Sequence, residues 1–476
     1  MDFDHLFKTP ELRGYQVRAV GGCRTRMGRH PNGRGKRVIL CMGTGSGKTY
    51  TASEIIRLTK FKQTKVTILC HRVEIMYQFH KSLEAFGIEH NILYKDKKVV
   101  GRVNLSMVQT YSRRYPQGLD EDLVVMDEVH MGNFETTLKR TSAMVIGLTA
   151  TPIPSKPSYK LNQEFDDIVL PVKVSELIAT NNLVRGVTYS VEHSFSHIKM
   201  KGGDFDTDQL VNEFRKTPKL QKGALENYLL HARGLRCLCF SASIAQSKEQ
   251  CKLFNEAGVV SEHIDGETPD GERKAIFDRF KSGETTVLHN VNIATAGTDI
   301  PAVECVIQNF ATTSIAKHHQ VIGRGSRPFK GKEKFIIIDL GMNYARHGEY
   351  GDDVDWKAIF KTPSKDKSKK ENGKKMPCPN CGAILTLPPL EEDGYRPIEC
   401  HHCKEGKVEA KEVKEKVLET MTTTEIKDFK KKTLPMEIRG MPLSQMSHDQ
   451  LISYGKHMGF SEKWANIRQA KRRSWR

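Results

Sequence analysis

The stretch Arg37–Tyr50, with the sequence Arg-Val-Ile-Leu-Cys-Met-Gly-Thr-Gly-Ser-Gly-Lys-Thr-Tyr, decides the fold. Val38–Cys41 is a short apolar segment typical of a buried strand, and the glycines after it allow backbone N–H groups to surround phosphate oxygens before a helix begins. Lys48 supplies a positive charge for the β and γ phosphates, and Thr49 supplies a hydroxyl for Mg²⁺. The predicted phosphate-binding loop consists of Gly43, Thr44, Gly45, Ser46, Gly47, Lys48 and Thr49.

Met42 is the one departure from the usual pattern of such a loop, because that pattern begins with glycine. The alternative is a glycine-rich turn between a strand and a helix that binds no ligand. The two interpretations differ in what they require of the remaining chain. A nucleoside-triphosphate motor needs acidic and arginine side chains elsewhere, whereas a simple turn does not.

Length and composition indicate several domains without a membrane span. The 476 residues exceed one core of typical size, which suggests two or three domains. No apolar run approaches the roughly 20 residues that cross a bilayer. The first eight residues, Met-Asp-Phe-Asp-His-Leu-Phe-Lys, lack the basic start and apolar core of a signal peptide. We therefore expect a cytoplasmic protein with no membrane partner.

The net charge of +18 favours a polyanionic partner, most simply nucleic acid, because phosphate contacts release counterions. A charge excess can also be a solvated surface only. The eleven cysteines do not form a secreted framework. Seven of them lie in apolar segments, where we expect reduced, buried side chains: Cys23, Cys41, Cys70, Cys237, Cys239, Cys251 and Cys305.

Strand-like and helix-like segments alternate on both sides of the loop, which predicts a doubly wound parallel sheet. The apolar segment Leu123–Met126 ends in Asp127-Glu128-Val129-His130. There Asp127 can hold Mg²⁺ and Glu128 can polarise a water, although two solvated carboxylates at a strand end are the alternative. Ahead of the loop, Arg13 can stack on adenine and Gln16 can bond its edge. Thr149 and Thr151 either connect the nucleotide site to the facing side of the cleft or belong to a solvated turn.

A second alternating block begins at Leu235 and closes with the strand Phe335–Asp339. It contains no second phosphate loop. It contains instead Thr295-Ala296-Gly297-Thr298-Asp299 and the segment Gln320-Val321-Ile322-Gly323-Arg324-Gly325-Ser326-Arg327. Arg324 and Arg327 share one face if this segment is helical, so two guanidinium groups can clamp a triphosphate from outside.

Taken in order, these segments resemble the motifs of superfamily 2 helicases and translocases over roughly residues 8 to 345. The matching segments are Arg13 with Gln16, 43–49, 71–78, 106–110, a DExH box at 127–130, 149–151, 240–242, 295–299 and 320–327. Thr-Pro-Ile-Pro at 151–154 departs from the Thr-Pro-x-Arg often found there.

The resemblance implies two RecA-like parallel-sheet α/β domains in tandem, with ATP and Mg²⁺ between them. It also implies that Glu128 activates water and that Arg324 and Arg327 act as arginine fingers. The residues it places at the nucleotide from the second domain are Gly297, Asp299, Gln320, Arg324 and Arg327.

Two C-x₂-C pairs follow the second block, Cys378 with Cys381 and Cys400 with Cys403. Four thiolates at this spacing predict a closed tetrahedral zinc site, with a redox motif or a histidine substitution by His401 or His402 as alternatives. The order of motor, basic linker and zinc ribbon resembles the RadD-like branch. The ribbon either contacts DNA or only stabilises its own segment.

The predicted domains are an ATP-binding domain at 1–160, a connecting segment at 161–233, a helicase C-terminal domain at 234–350, a basic linker at 351–376, a zinc ribbon at 377–408 and a basic helical tail at 409–476. The function we expect is that of an ATP-dependent DNA helicase or translocase in repair, recombination or replication. The alternatives are an RNA-directed or non-unwinding duplex translocase, and a zinc-dependent nucleic-acid-binding protein whose ATP site is regulatory.

Overall fold

The computed structural model describes residues 10–97, 99–155, 159–291, 303–362, 375–378, 381–386, 395–400, 402–403, 406–410 and 446–458. The chain divides into two compact units, Met1–Lys370 and Glu371–Arg476. The first unit contains two α/β domains, and each has its own parallel sheet. In the described part of the chain, no helix is both long enough and apolar enough to cross a bilayer.

The first domain is built on seven strands. They are β1 (Arg37–Cys41), β2 (Val66–Cys70), β3 (Asn91–Leu93), β4 (Val103–Met107), β5 (Leu123–Asp127), β6 (Met144–Thr149) and β7 (Asp167–Val169). The helices are α1 (Gly14–Arg26), α2 (Lys48–Leu58), α3 (Val73–Ala85), α4 (Val108–Arg114), α5 (Glu135–Arg140) and α6 (Leu161–Glu164). The strands pair in parallel in the order β3-β4-β2-β5-β6-β1-β7.

Strand order explains where the site of this domain forms. β1, β2, β4 and β5 are buried along their whole length, as expected for a parallel sheet with helices on both faces. β1, β6 and β5 are neighbours, with Cys41 opposite Thr149 and Asp127 opposite Leu148. Since parallel strands end at one edge of the sheet, the loop after β1, the carboxylates after β5 and the threonines after β6 meet there.

The second domain repeats this plan with six parallel strands in the order β12-β13-β11-β14-β15-β8. The strands are β8 (Arg185–Ser190), β11 (Cys237–Ser241), β12 (Ser261–Ile264), β13 (Val287–Asn290), β14 (Cys305–Asn309) and β15 (Lys334–Asp339), and the small hairpin β9 (Met200–Lys201) with β10 (Asp204–Phe205) lies apart from them. The helices are α7 (Val174–Ala179), α8 (Thr207–Lys216), α9 (Pro218–Gln221), α10 (Gly223–His231), α11 (Ile244–Glu256), α12 (Asp270–Ser282), α13 (Ile315–Ile322), α14 (Asn343–His347) and α15 (Trp356–Lys361).

The segment between the two predicted blocks contributes to both sheets. β7 pairs with β1 and β8 pairs with β15, so residues 161–233 supply one edge strand to each domain. Residues 207–231 of this segment form three helices, α8, α9 and α10. Pro218 begins α9, the shortest of them.

After the second sheet the chain returns to the first domain. In α15, Phe360 is only 6% exposed and packs in a core cluster made of first-domain residues, where Trp356 also packs. The Asn162 side-chain amide donates to the carbonyl of Lys361 at 3.3 Å. The first domain is therefore completed by residues that follow the second.

The second unit contains two antiparallel hairpins and a helix. β16 (Lys375–Pro377) pairs with β17 (Ile384–Thr386), β18 (Tyr395–Glu399) pairs with β19 (Gly406–Ala410), and α16 spans His448–Met458. Each C-x₂-C pair lies between the two strands of one hairpin. Most of the basic helical tail predicted at 409–476 falls outside the described residues.

Candidate active site

The phosphate loop occupies residues 42–47, between the end of β1 and the start of α2. Gly45 and Gly47 both have φ of +82°, a left-handed conformation that favours glycine. The Lys48 ammonium donates to the carbonyl of Met42 at 3.2 Å. The Met42 side chain is buried in the main core cluster, so this position contributes packing where the usual pattern has glycine.

The start of α2 presents backbone donors to the loop. Gly47 occupies the N-cap position and supplies no side-chain acceptor for the first N–H groups of the helix. Those N–H groups and the helix dipole make this end a favourable place for a phosphate. Lys48 and Thr49 are the first two residues of α2, so both side chains belong to its first turn, next to the phosphate loop. The residues present therefore fit a nucleoside triphosphate.

The start of α1 is tied directly to this loop. Gln16 is 6% exposed, and its amide nitrogen lies 3.4 Å from the carbonyl oxygens of Ser46 and of Gly47. Its amide oxygen accepts a hydrogen bond from the backbone N–H of Arg13. The Tyr15 hydroxyl donates to the Ser46 carbonyl at 3.0 Å, a contact that the sequence did not single out. These bonds link the predicted adenine-recognition residues to the phosphate loop.

Asp127 is buried at the end of β5, and Glu128, which follows it, has 16% of its side chain exposed. Burial and the neighbouring Glu128 raise the pKa of Asp127, while the positive charge of Lys48 opposes this. Burial also acts to raise the pKa of Glu128, but His130, Lys48 and His71 reverse the effect and lower it. Two adjacent carboxylates that are largely shielded from water repel each other unless a cation lies nearby. Carboxylate and hydroxyl oxygens suit a hard divalent ion, so Asp127 and Thr49 are the candidate ligands at this edge of the first sheet.

Glu128 has a strained backbone and an exceptional side chain. Its φ of +50° is left-handed, which is uncommon for a residue other than glycine. Its Oε2 is buried and, within the described residues, makes no hydrogen bond, although His130 Nδ1 lies 3.2 Å away. A buried carboxylate oxygen with spare acceptor capacity is the group that a general base requires.

A hydrogen-bond network crosses from the first domain to the second. The Gln320 side-chain amide nitrogen lies 3.0 Å from His130 Nε2 and donates to Thr151 Oγ1 at 3.1 Å. Because an amide nitrogen only donates, His130 Nε2 accepts and its proton lies on Nδ1. That nitrogen is 2.9 Å from Thr149 Oγ1. Of the two interpretations of the threonines, the connection across the cleft is the one that the structure supports.

The arginine segment follows α13 and does not form part of it. The helix ends at Ile322, so the shared helical face expected for Arg324 and Arg327 does not exist. The chain changes to a turn after Ile322 because Gly323 and Gly325, on either side of Arg324, do not favour continuation of the helix. The loop nevertheless meets the phosphate loop, because a Cβ built on Gly45 would lie 3.2 Å from Arg327 Cγ. Arg324 is buried at 6% exposure.

Two further residues complete this description. A Cβ built on Gly323 would lie 2.7 Å from Thr44 Cβ, so the Gly323 backbone packs directly against Thr44 of the phosphate loop. His71, after β2, begins the segment 71–78 that resembles a helicase motif: burial and then Arg72 lower its pKa to about 4, and it contributes to the electrostatics of Glu128. Gly297 and Asp299 lie outside the described residues.

The four clustered cysteines converge in the second unit. Their sulfur atoms all lie within 4.8 Å of one another, with Cys378 Sγ 3.8 Å from Cys403 Sγ and Cys381 Sγ 3.6 Å from Cys400 Sγ. Thiolates about 2.3 Å from a tetrahedral metal ion are separated by about 3.8 Å, so this geometry fits one. The cluster can therefore hold a metal with all four positions filled by protein.

Comparison with known proteins gives matches over both α/β domains. The family described as type III restriction enzyme, res subunit, matches residues 9–154, and the helicase conserved C-terminal domain matches residues 221–328. A 51.5 kDa protein of a Lactococcus phage is 29% identical over 349 residues, covering 72% of this chain and 74% of its own length.

A second relative and a solved structure agree with these matches. A protein of Saccharomyces cerevisiae named as the ATP-dependent helicase IRC3 is 28% identical over 370 residues, which cover 70% of this chain but 52% of the yeast protein. A fragment of a type I restriction enzyme HsdR subunit from Vibrio vulnificus superposes with a TM-score of 0.54 at 18% identity, covering 72% of this chain and 68% of the fragment. That structure confirms the fold of two parallel-sheet domains in tandem.

Proposed function

We propose, from the premise that this chain is a superfamily 2 helicase, that it is an ATP-dependent DNA helicase or translocase that remodels or unwinds DNA in repair, recombination or replication. ATP-dependent helicases couple hydrolysis to movement along nucleic acid, and the chain is an enzyme of this kind. The observation that supports the proposal most strongly is the network across the cleft, in which Gln320 of the second domain bonds His130 and Thr151 of the first.

The first domain supplies the groups that bind the triphosphate and activate the attacking water. Backbone N–H groups of 43–49 and the Lys48 ammonium bind phosphate, while Arg13 and Gln16 bind adenine. Thr49 and Asp127 would hold Mg²⁺, which supplies charge neutralisation at the phosphates. Glu128 accepts a proton from the attacking water, and His130 keeps that carboxylate oriented.

The second domain supplies positive charge and a polar contact across the cleft. Arg327 lies against Gly45 and Arg324 is buried in the same loop, so both act as arginine fingers at the phosphates. Gln320 bonds His130 and Thr151 of the first domain across the cleft. Gly297 and Asp299 are also proposed to bind the nucleotide, as the resemblance implies. Opening and closing of the cleft in each cycle moves a strand held across both domains.

DNA is the proposed track for two reasons. The first-domain family match is to a restriction-enzyme subunit, and restriction enzymes act on DNA. The net charge of +18 also suits a phosphate backbone. We further propose that the four cysteines hold one structural Zn²⁺ in a ribbon of two hairpins, as in the RadD-like branch. The sulfur separations of 3.6 and 3.8 Å support that part.

Strand displacement on matched substrates tests the proposal. Purified protein with ATP and Mg²⁺ is offered forked DNA, blunt duplex DNA and a forked RNA of the same sequence, and ATP hydrolysis is measured alongside displacement. We expect displacement of the forked DNA and hydrolysis stimulated by DNA. The control variant Lys48→Ala should do neither, because it lacks the phosphate-binding ammonium.

Each alternative has its own outcome in this assay. Activity on RNA alone, or DNA-stimulated hydrolysis without displacement on any substrate, would favour the RNA-directed or non-unwinding translocase. Tight binding with turnover equal to that of Lys48→Ala would show a binding protein with a regulatory ATP site.

A further inference from the structure

Lys332 is partly buried and has its ammonium group among three backbone carbonyls of the second domain. Its Nζ donates to the carbonyl oxygens of Val303 and Gly325 at 2.5 Å each and to that of Arg327 at 3.0 Å. The ammonium also lies 5.6 Å from the centroid of the Phe335 ring. A lysine ammonium has three donors, and here all three have acceptors.

The acceptors belong to two different parts of the domain. Gly325 and Arg327 are in the loop that carries the arginine fingers, whereas Val303 lies two residues before β14. Lys332 itself lies two residues before β15, the strand that pairs with β14. One side chain therefore connects the arginine loop to the ends of two adjacent strands in the rigid sheet.

Other contacts also hold the same loop against the second domain. A Cβ on Gly325 would meet Phe335 Cδ2 at 2.3 Å, so this part of the loop lies directly on β15. The backbone N–H of Val184 donates to the Ser326 carbonyl at 2.7 Å. Lys332 donates to the carbonyl oxygen of Arg327. The Arg327 side chain lies against Gly45 of the phosphate loop.

We propose that Lys332 is a positioning residue for ATP hydrolysis, which fixes the loop of Arg324 and Arg327 to the sheet so that Arg327 returns to one place against the phosphate loop at each closure. This inference rests on the proposed function of that loop. Arginine fingers act through preorganised charge, so a loop displaced by about 1 Å reduces the rate by about a hundredfold without preventing nucleotide binding.

The charge state of this amine gives the proposal a specific signature. Burial lowers the pKa of Lys332 to about 8, Arg327 adds to the shift, and Glu304 opposes it. Glu304 and Arg327 are the charged groups that act on this ammonium. Below pH 8 the amine is charged and donates three bonds, and above pH 8 it loses a proton and one donor.

Steady-state hydrolysis of ATP with saturating DNA tests the role in four proteins: wild type, Lys332→Met, Lys332→Arg and the control Lys330→Met, whose lysine is exposed two positions away. At pH 7.5 we expect kcat of Lys332→Met to fall by about ten- to a hundredfold with KM for ATP within about twofold. Lys330→Met should match wild type. Thermal unfolding of each protein checks that the fold is retained.

The pH profile separates positioning from simple structural support. We expect kcat of wild type and Lys330→Met to decline above pH 8, whereas Lys332→Arg, which stays charged, should keep part of the rate and show no such decline. A wild-type kcat in Lys332→Met, or the same alkaline decline in Lys332→Arg, would overturn the role of Lys332. If Lys332→Met does not fold, the Lys332→Arg profile decides alone. Wild type without DNA-stimulated hydrolysis would overturn the proposed function itself.

Discussion

Each of the two α/β domains is built on its own parallel sheet, but the helices that follow β1 and β11 begin differently. In the first domain, α2 begins after Gly47, which supplies no side-chain cap, so the first N–H groups of the helix face the phosphate loop. In the second domain, α11 begins after Ser243, whose hydroxyl accepts the N–H of Gln246. One helix end is open to an anion and the other is closed by its own serine.

This difference explains why neither domain is sufficient. In the proposed function, the domain with the open helix end carries the carboxylates and binds phosphate, and the charge that stabilises the transferring phosphoryl group comes from Arg324 and Arg327. The domain with the closed helix end contains those arginines, and its described residues include no phosphate loop. The two domains share one architecture but would contribute unequal halves of one site.

The largest expected effect is loss of hydrolysis from a change in either half. We expect Glu128→Gln in the first domain and Arg327→Ala in the second each to reduce DNA-stimulated kcat by about a thousandfold or more, because one removes the base and the other the finger. Both variants should still bind ATP, as measured with a fluorescent analogue, since Lys48 and the loop are intact.

Exposed arginines provide the control for the second change. Arg215 lies on α8 and pairs only at the surface with Glu249, so Arg215→Ala should hydrolyse ATP at the wild-type rate. If Arg327→Ala also keeps that rate while Glu128→Gln does not, the two halves are not interdependent.

A smaller effect is expected from the bond that joins the halves. Gln320→Ala removes both contacts to the first domain, at His130 and at Thr151. We expect about a tenfold lower kcat with DNA and a smaller change without DNA, because loss of a buried polar contact costs about 1–3 kcal/mol. The measurement is the ratio of the two rates. Thr151→Val removes one acceptor only and should reduce the ratio by about threefold.

The smallest effect on the motor is expected from the cysteine cluster, which belongs to a separate unit. Cys378→Ser with Cys400→Ser should abolish the one zinc ion per chain found by elemental analysis, because two thiolates do not complete a tetrahedral site. Hydrolysis without nucleic acid should change by less than about twofold. Cys251→Ser, a partly buried thiol outside the cluster, should retain the metal.

Zinc retained after both substitutions, or no zinc in the wild-type protein, would contradict the assignment of that site. A large loss of basal hydrolysis would show that ATP hydrolysis by the two α/β domains depends on the second unit.

Local pattern was sufficient to predict much of the fold. The strands around the phosphate loop were predictable because each is a short apolar segment followed by glycine, a carboxylate or threonine. Asp127 and Glu128 were predictable as a pair because they end such a strand. The resemblance to helicases then indicated that Arg324 and Arg327 face the loop. The helical conformation predicted for these two arginines was wrong, because α13 ends at Ile322.

Other contacts were not predictable because they join positions far apart in the chain. Gln320 and Thr151 are 169 positions apart, and nothing near either residue specifies the other. Lys332 lies in an ordinary Gly-Lys-Glu-Lys turn, and its importance arises only when three carbonyl groups converge on it. His71 and Tyr15 likewise acquire their roles from neighbours brought close by the sheet.

The position of Phe360 has a consequence for how the protein is made. This side chain fills a core of the first domain but is synthesised after the whole second domain. While a ribosome is still producing the second sheet, the first domain therefore has an unfilled apolar site exposed to solvent, and its core closes only when residue 360 has emerged. Such a late, long-range contact slows folding, and it couples completion of the first domain to the presence of the second.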